Sequence, residues 1–81
     1  MKKLIDVVVD RLCLFMEKDK LTQYKLANLS GLPFTTVKSI MQRRTKNITL
    51  KTIIMLADGL DITPCEFLND PIFLAQNLDL E

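Results

Sequence analysis

The chain has 81 residues, 48% of them apolar, enough for one small core but not for a large catalytic cleft or a separate effector domain. It has no histidine, and its two cysteines, Cys13 and Cys65, stand 52 positions apart, so the commonest general base and the usual zinc-ligand spacings are both missing. The formal charge of +1 conceals a division: eight basic residues against one acidic from Lys18 to Lys51, a local +7, then six acidic residues and no basic one from Thr52 to Glu81, a local −6.

Residues 3 to 18 place Leu4, Ile5, Val8, Leu12, Phe15 and Met16 at three- and four-residue intervals, which predicts a first amphipathic helix with Asp6, Asp10, Arg11 and Glu17 toward solvent. The run Val7-Val8-Val9 lies inside this longer pattern and is read as helix rather than strand. Charges interrupt the N-terminal stretch and no run reaches the ~18–20 apolar residues that span a bilayer, so neither a signal peptide nor a membrane segment is expected. Cys13 and Cys65 both sit among apolar neighbours and are read as reduced core residues, which implies a cytoplasmic setting.

Thr22 can cap a second helix running to about Ser30, where Gly31 ends it, and a third covers about Phe34 to Gln42. Two short helices that cross steeply need a small residue where they approach, a residue tolerant of positive φ between them, and a branched apolar residue locking the second onto the first. Ala27, Gly31 and Val37 supply these at a four-then-six spacing, with Leu26, Leu29, Leu32 and Ile40 filling the space between. The pattern is a helix-turn-helix, and it points to double-stranded DNA.

Arg43 to Asn47 forms a polar, basic loop, after which Thr49 caps a fourth helix with Leu50, Ile53, Ile54, Ala57 and Leu60 on its buried face, ending near Gly59 to Asp61. Thr63-Pro64-Cys65-Glu66 has the form of a capping box with proline at the first helical position, so a short fifth helix carries Phe67 and Leu68 into the core. The tail 71–81 keeps Ile72, Phe73, Leu74, Ala75, Leu78 and Leu80, too apolar for a free terminus. Two readings stand for it: packing onto its own domain, or contributing to a dimer interface. The expected architecture is all-α, a compact five-helix bundle over residues 1–70 containing the helix-turn-helix, with 71–81 as a short apolar tail.

The positions Leu26-Ala27, Gly31-Leu32, Val37, Ile40, Leu50, Leu56-Ala57 and Glu66-Phe67-Leu68 resemble those of the phage repressor/Cro type of helix-turn-helix protein, the xenobiotic-response-element family, over Leu21 to Leu68. The resemblance implies a lambda-repressor-like DNA-binding domain that lays its third helix in the major groove while the start of helix two and the following loop grip the backbone. It assigns Gln23 to a phosphate contact and a brace for helix three. Pro33 stands where the family often caps that helix with serine or threonine, and Arg43 where it often has glycine, so the helix start and the loop path are open at those two points.

Thr35, Lys38, Ser39 and Gln42 fall at i, i+3, i+4 and i+7, one polar stripe opposite Val37, Ile40 and Met41, and are the candidate base readers. Phe34 is either a fifth, through a thymine methyl, or part of the core. Gln23, Thr36, Arg43, Arg44, Lys46 and Asn47 are the candidate backbone contacts, since their donors suit phosphate oxygens without reading sequence. No cofactor or metal is expected, and with glycine only at positions 31 and 59 there is no phosphate-cradling loop of an enzyme. The reading is a repressor-type transcriptional regulator acting as a homodimer. The alternative is a protein-interaction module, such as an antitoxin or antirepressor, using the acidic C-terminal third. An RNA reader would need more exposed aromatics in the basic region than Tyr24 and Phe34.

Overall fold

The computed structural model describes residues 1–80; Glu81, counted above in the acidic third and in the tail, lies outside the described residues. The elements run β1 (Lys2–Lys3), α1 (Leu4–Asp19), α2 (Gln23–Ser30), α3 (Phe34–Met41), α4 (Leu50–Gly59) and α5 (Pro64–Leu68). Two single 3-10 turns, Pro71–Phe73 and Ala75–Asn77, lead to β2 (Leu78–Asp79). None of the helices is long and apolar enough to cross a membrane.

The helix starts follow from three threonines. The Oγ1 of Thr22 accepts the Lys25 amide at 3.1 Å, that of Thr49 the Thr52 amide at 3.2 Å, and that of Thr63 the Glu66 amide at 3.0 Å. Each satisfies one of the amides that the first turn leaves unpaired, worth about 1 kcal/mol apiece. Pro64 occupies the first position of α5, where the missing amide costs nothing.

Leu12, Leu26, Leu56, Ala57 and Phe67 are fully buried, and Val8, Val9, Val37, Ile40 and Leu60 nearly so, in one cluster drawn from all five helices. At its middle α2 packs on both α3 and α4. The tightest backbone approach is at Gly59, where an added Cβ would lie 2.9 Å from both the amide nitrogen and the Cβ of Ser30 and 3.0 Å from its Cα. A small residue is thus needed where α4 meets the end of α2, besides the one expected at Ala27 where α2 and α3 cross.

Several side chains depart from their expected faces. Arg11 does not face solvent: its side chain is 11% exposed and closes the C-terminal end of α5, Nε donating to the Phe67 carbonyl at 2.8 Å and Nη2 to that of Glu66 at 2.9 Å. Its guanidinium also lies 4.7 Å from the centroid of the Phe15 ring. Val7 is buried although it was not on the expected stripe, and it lies outside the main cluster. One turn before Arg11, it falls on the side of α1 that meets α5 and the first 3-10 turn, so α1 is covered on two sides.

Leu50 and Ile54, assigned to the buried face of α4, are 66% and 46% exposed, and Leu56 is buried in their stead. Leu29 and Leu68 are likewise exposed. Cys65, expected in the core, is exposed on α5, while Cys13 is half-buried and both thiols are free.

Phe73 packs against Phe67 with the rings tilted by 42° and their centroids 6.1 Å apart. Leu78 is buried, and β2 runs parallel to β1, Lys2 opposite Leu78 and Lys3 opposite Asp79. This two-strand pairing is the one addition to the all-helical architecture among the described residues.

Candidate nucleic-acid interface

The turn between α2 and α3 is built from Ser30, Gly31 and Pro33. Gly31 has φ 77°, the left-handed conformation that ends a helix, and its amide donates to the Ala27 carbonyl at 3.0 Å. Buried Ser30 donates its hydroxyl to the same carbonyl at 3.2 Å and accepts the Leu32 amide at 3.3 Å, so the turn keeps no unmet polar side chain in the core. Pro33 holds extended geometry with no side-chain cap, and the amides of Thr36 and Val37 close directly onto its carbonyl. Helix α3 therefore begins at Phe34, as the spacing predicts, without the hydroxyl cap.

Val37 and Ile40 are buried against the bundle, and this fixes the rotation of α3 about its axis. The opposite side carries Thr35 and Lys38 exposed, Ser39 half-buried, and Gln42 exposed at the C-terminal cap. Thr36 is half-buried at the flank, and Gln23 is half-buried at the first residue of α2. Four short or flexible polar side chains thus stand along one open edge of a helix whose other edge is locked.

Phe34 sits outside the core cluster, 40% exposed, with its ring centroid 5.8 Å from that of Tyr24. Neither expected position describes it fully, because it leans on a second exposed aromatic in the first turn of α2. Tyr24 is not among the candidate site residues read from sequence. Nothing local marks it, since the two rings meet only once the turn has folded α3 back across α2.

The loop after α3 continues the polar edge. Arg44, Lys46 and Asn47 are exposed, and the Arg44 amide returns to the Ser39 carbonyl at 3.0 Å. Arg43 has φ 60°, the left-handed conformation, so the arginine adopts the backbone shape that suits the glycine often found there in the family it resembles. Holding a non-glycine residue in that region costs roughly 1–2 kcal/mol.

The Arg43 side chain turns to α1, Nε donating to Asp6 Oδ1 at 2.8 Å and Nη2 to Asp10 Oδ1 at 3.4 Å, and the other oxygen of Asp10 takes Lys2 at 2.7 Å. All four side chains are more than a third exposed, so each pair contributes between zero and about 1 kcal/mol. The pairs offset at most part of the backbone strain, but they do fix the direction of the guanidinium.

A family model described as a Cro/C1-type helix-turn-helix DNA-binding domain matches residues 11–71. Among solved structures, prophage Lp1 protein 11 superposes with a TM-score of 0.79 at 29% identity, over 90% of this chain and 96% of that one. The restriction-modification controller protein C.AhdI from Aeromonas hydrophila gives a TM-score of 0.69 at 33% identity, over 78% of this chain and 94% of that one. A mutant of the restriction-modification controller protein C.Esp1396I gives 0.73 at 25% identity, over 80% and 83%. No curated protein matches in sequence.

Proposed function

The chain belongs to the Cro/C1-type helix-turn-helix family of DNA-binding domains, and from that premise we propose that it is a sequence-specific regulator of transcription, of the phage or mobile-element repressor kind, acting as a dimer on a two-fold symmetric operator. The observation that carries the proposal is the open polar edge of α3, Thr35, Lys38, Ser39 and Gln42, followed in the next loop by the exposed Arg44, Lys46 and Asn47. In the major groove the hydroxyls of Thr35 and Ser39 meet donors or acceptors on base edges, and Lys38 reaches guanine acceptors. Phe34, braced by Tyr24, presents an apolar edge to a thymine methyl. Gln23, Thr36, Arg44, Lys46 and Asn47 hold the sugar-phosphate backbone and set the register.

Dimerisation belongs to the proposal because one recognition helix reads only about four to six base pairs, and two copies spaced one helical turn apart multiply that discrimination. Leu50 and Ile54, one turn apart and uncovered on α4, give a self-complementary face. Antiparallel pairing of two copies centred between Ile54 and Met55 sets Lys51 of each against Asp58 of the other, both exposed. The structural relatives, a prophage protein and two restriction-modification controllers, support the regulatory setting.

Selection of binders from a random duplex pool, followed by affinity measurements on the winner and on random duplex across a salt series, tests the reading. An inverted repeat with half-sites about one turn apart, bound at least ~1,000-fold more tightly than random DNA, is the expected result. No enrichment, with only weak and salt-sensitive binding, would sink it.

A further inference from the structure

Arg43 is exposed like the other basic residues of its loop, but it differs from them in its backbone conformation and its ion pairs. Arg44 and Lys46 are exposed and carry no ion pair among the described residues. Arg43 divides its guanidinium between Asp6 and Asp10, and Asp10 in turn holds Lys2, so two cations and two carboxylates form a chain of pairs with no net charge. Such a neutral quartet offers a polyanion little attraction, and lifting the guanidinium onto a phosphate would leave two carboxylates with Lys2 alone to balance them. The φ of 60° at Arg43 aims its side chain back over α1 while the chain goes forward into the loop.

We infer, on the DNA-binding reading above, that Arg43 is a positioning residue that ties the basic loop to α1, and that the loop grips phosphate through Arg44 and Lys46 without it. The loop's phosphate contacts are then set by an intramolecular strut between the end of the recognition helix and the first turns of α1. Asp6 and Asp10 act as the acceptors that withhold one cation from the DNA.

Each phosphate contact adds about 0.9 to the slope of log affinity against log salt, or an extra ~3.5-fold loss between 50 and 200 mM. Slopes and affinities on the selected duplex are measured for the parent, Arg43→Gly, Arg44→Ala and the double variant Asp6→Asn/Asp10→Asn. Glycine suits the backbone at position 43, so Arg43→Gly keeps the loop's course. It is expected to retain the parental slope, since no phosphate contact is lost, while its affinity falls a few fold at every salt concentration for want of the strut, whereas Arg44→Ala becomes shallower by about 0.9.

The double asparagine variant is expected to become steeper by about 0.9, because Arg43 is released to take a phosphate, and adding Arg43→Gly to it, where Lys2 is released alike, is expected to return the slope to the parental value. A slope for Arg43→Gly as shallow as that of Arg44→Ala overturns the inference, as does an unchanged slope in the double asparagine variant. Either result leaves the DNA-binding reading standing. A parent that binds no duplex with a salt-dependent affinity overturns both together.

Discussion

Replacing Arg11 by methionine removes the side chain that joins α1 to the C-terminal end of α5. The Nε bond to the half-buried Phe67 carbonyl is charge-assisted and short, and bonds of that kind contribute about 1.5–3 kcal/mol. The bond to the Glu66 carbonyl is exposed and water replaces most of it, the contact with Asn69 at 3.4 Å is too long to add much, and the Asp70 pair at 3.7 Å is partly solvated. Stacking on Phe15 adds about 0.5–1 kcal/mol, and methionine recovers some apolar contact.

The expected loss is about 2–3 kcal/mol, a fall in Tm of roughly 10–20 °C for a domain of this size. Urea unfolding followed by circular dichroism gives the loss directly, with hydrogen exchange showing whether residues 64–80 open before the rest. Arg11→Lys keeps the charge but not the fork and is expected to recover less than half. An Arg11→Met protein within about 0.5 kcal/mol of the parent would refute the reasoning, since a surface arginine behaves that way.

Gly59→Ala is expected to destabilise by at least ~1 kcal/mol in the same urea assay, because the added carbon meets the Ser30 backbone, which cannot move aside, and overpacking outweighs alanine's helix preference. Gly31→Ala has space, with Met55 Cε at 3.7 Å, so its loss of roughly 1–2 kcal/mol is the cost of positive φ alone and leaves the α2–α4 packing intact by near-ultraviolet circular dichroism. Leu50→Glu with Ile54→Glu should leave the fold stable and give a monomer in light scattering at concentrations where the parent is a dimer; a dimer that persists places the interface elsewhere. Lys38→Ala and Ser39→Ala should change the sequence recovered in selection, while Arg44→Ala weakens all duplexes alike; equal losses on selected and random DNA from all three would refute the division of roles.

Helix identity and limits were legible because the signals are local: Thr22, Thr49 and Thr63 each bond an amide three residues on, and Gly31 takes the one backbone shape that ends α2. The stripe of Thr35, Lys38, Ser39 and Gln42 follows from helical spacing once Val37 and Ile40 are turned inward. What the sequence hid was long-range. Arg11 meets carbonyls 55 and 56 positions away, and nothing in a helical charge pattern separates a solvated arginine from one that closes another helix.

Leu50, Ile53, Ile54 and Leu56 form an apolar face wider than the core can cover, and periodicity alone does not say which part stays outside. The turning of Arg43 to Asp6 and Asp10 and the meeting of Tyr24 with Phe34 likewise needed the helices to be placed first.

The pairing of β1 with β2 joins residues seventy-six positions apart, whereas α2, α3 and α4 meet through short connections. Closing so long a loop costs more chain entropy than the short connections do, which predicts that the helical centre condenses first and the strand pair is completed afterwards. Contacts made after the barrier leave the folding rate alone and slow unfolding. The tail that buries Leu78 against the start of the chain is therefore expected to act as a clasp in time: its removal should speed unfolding, while changes in the helix-turn-helix should alter how fast the domain forms.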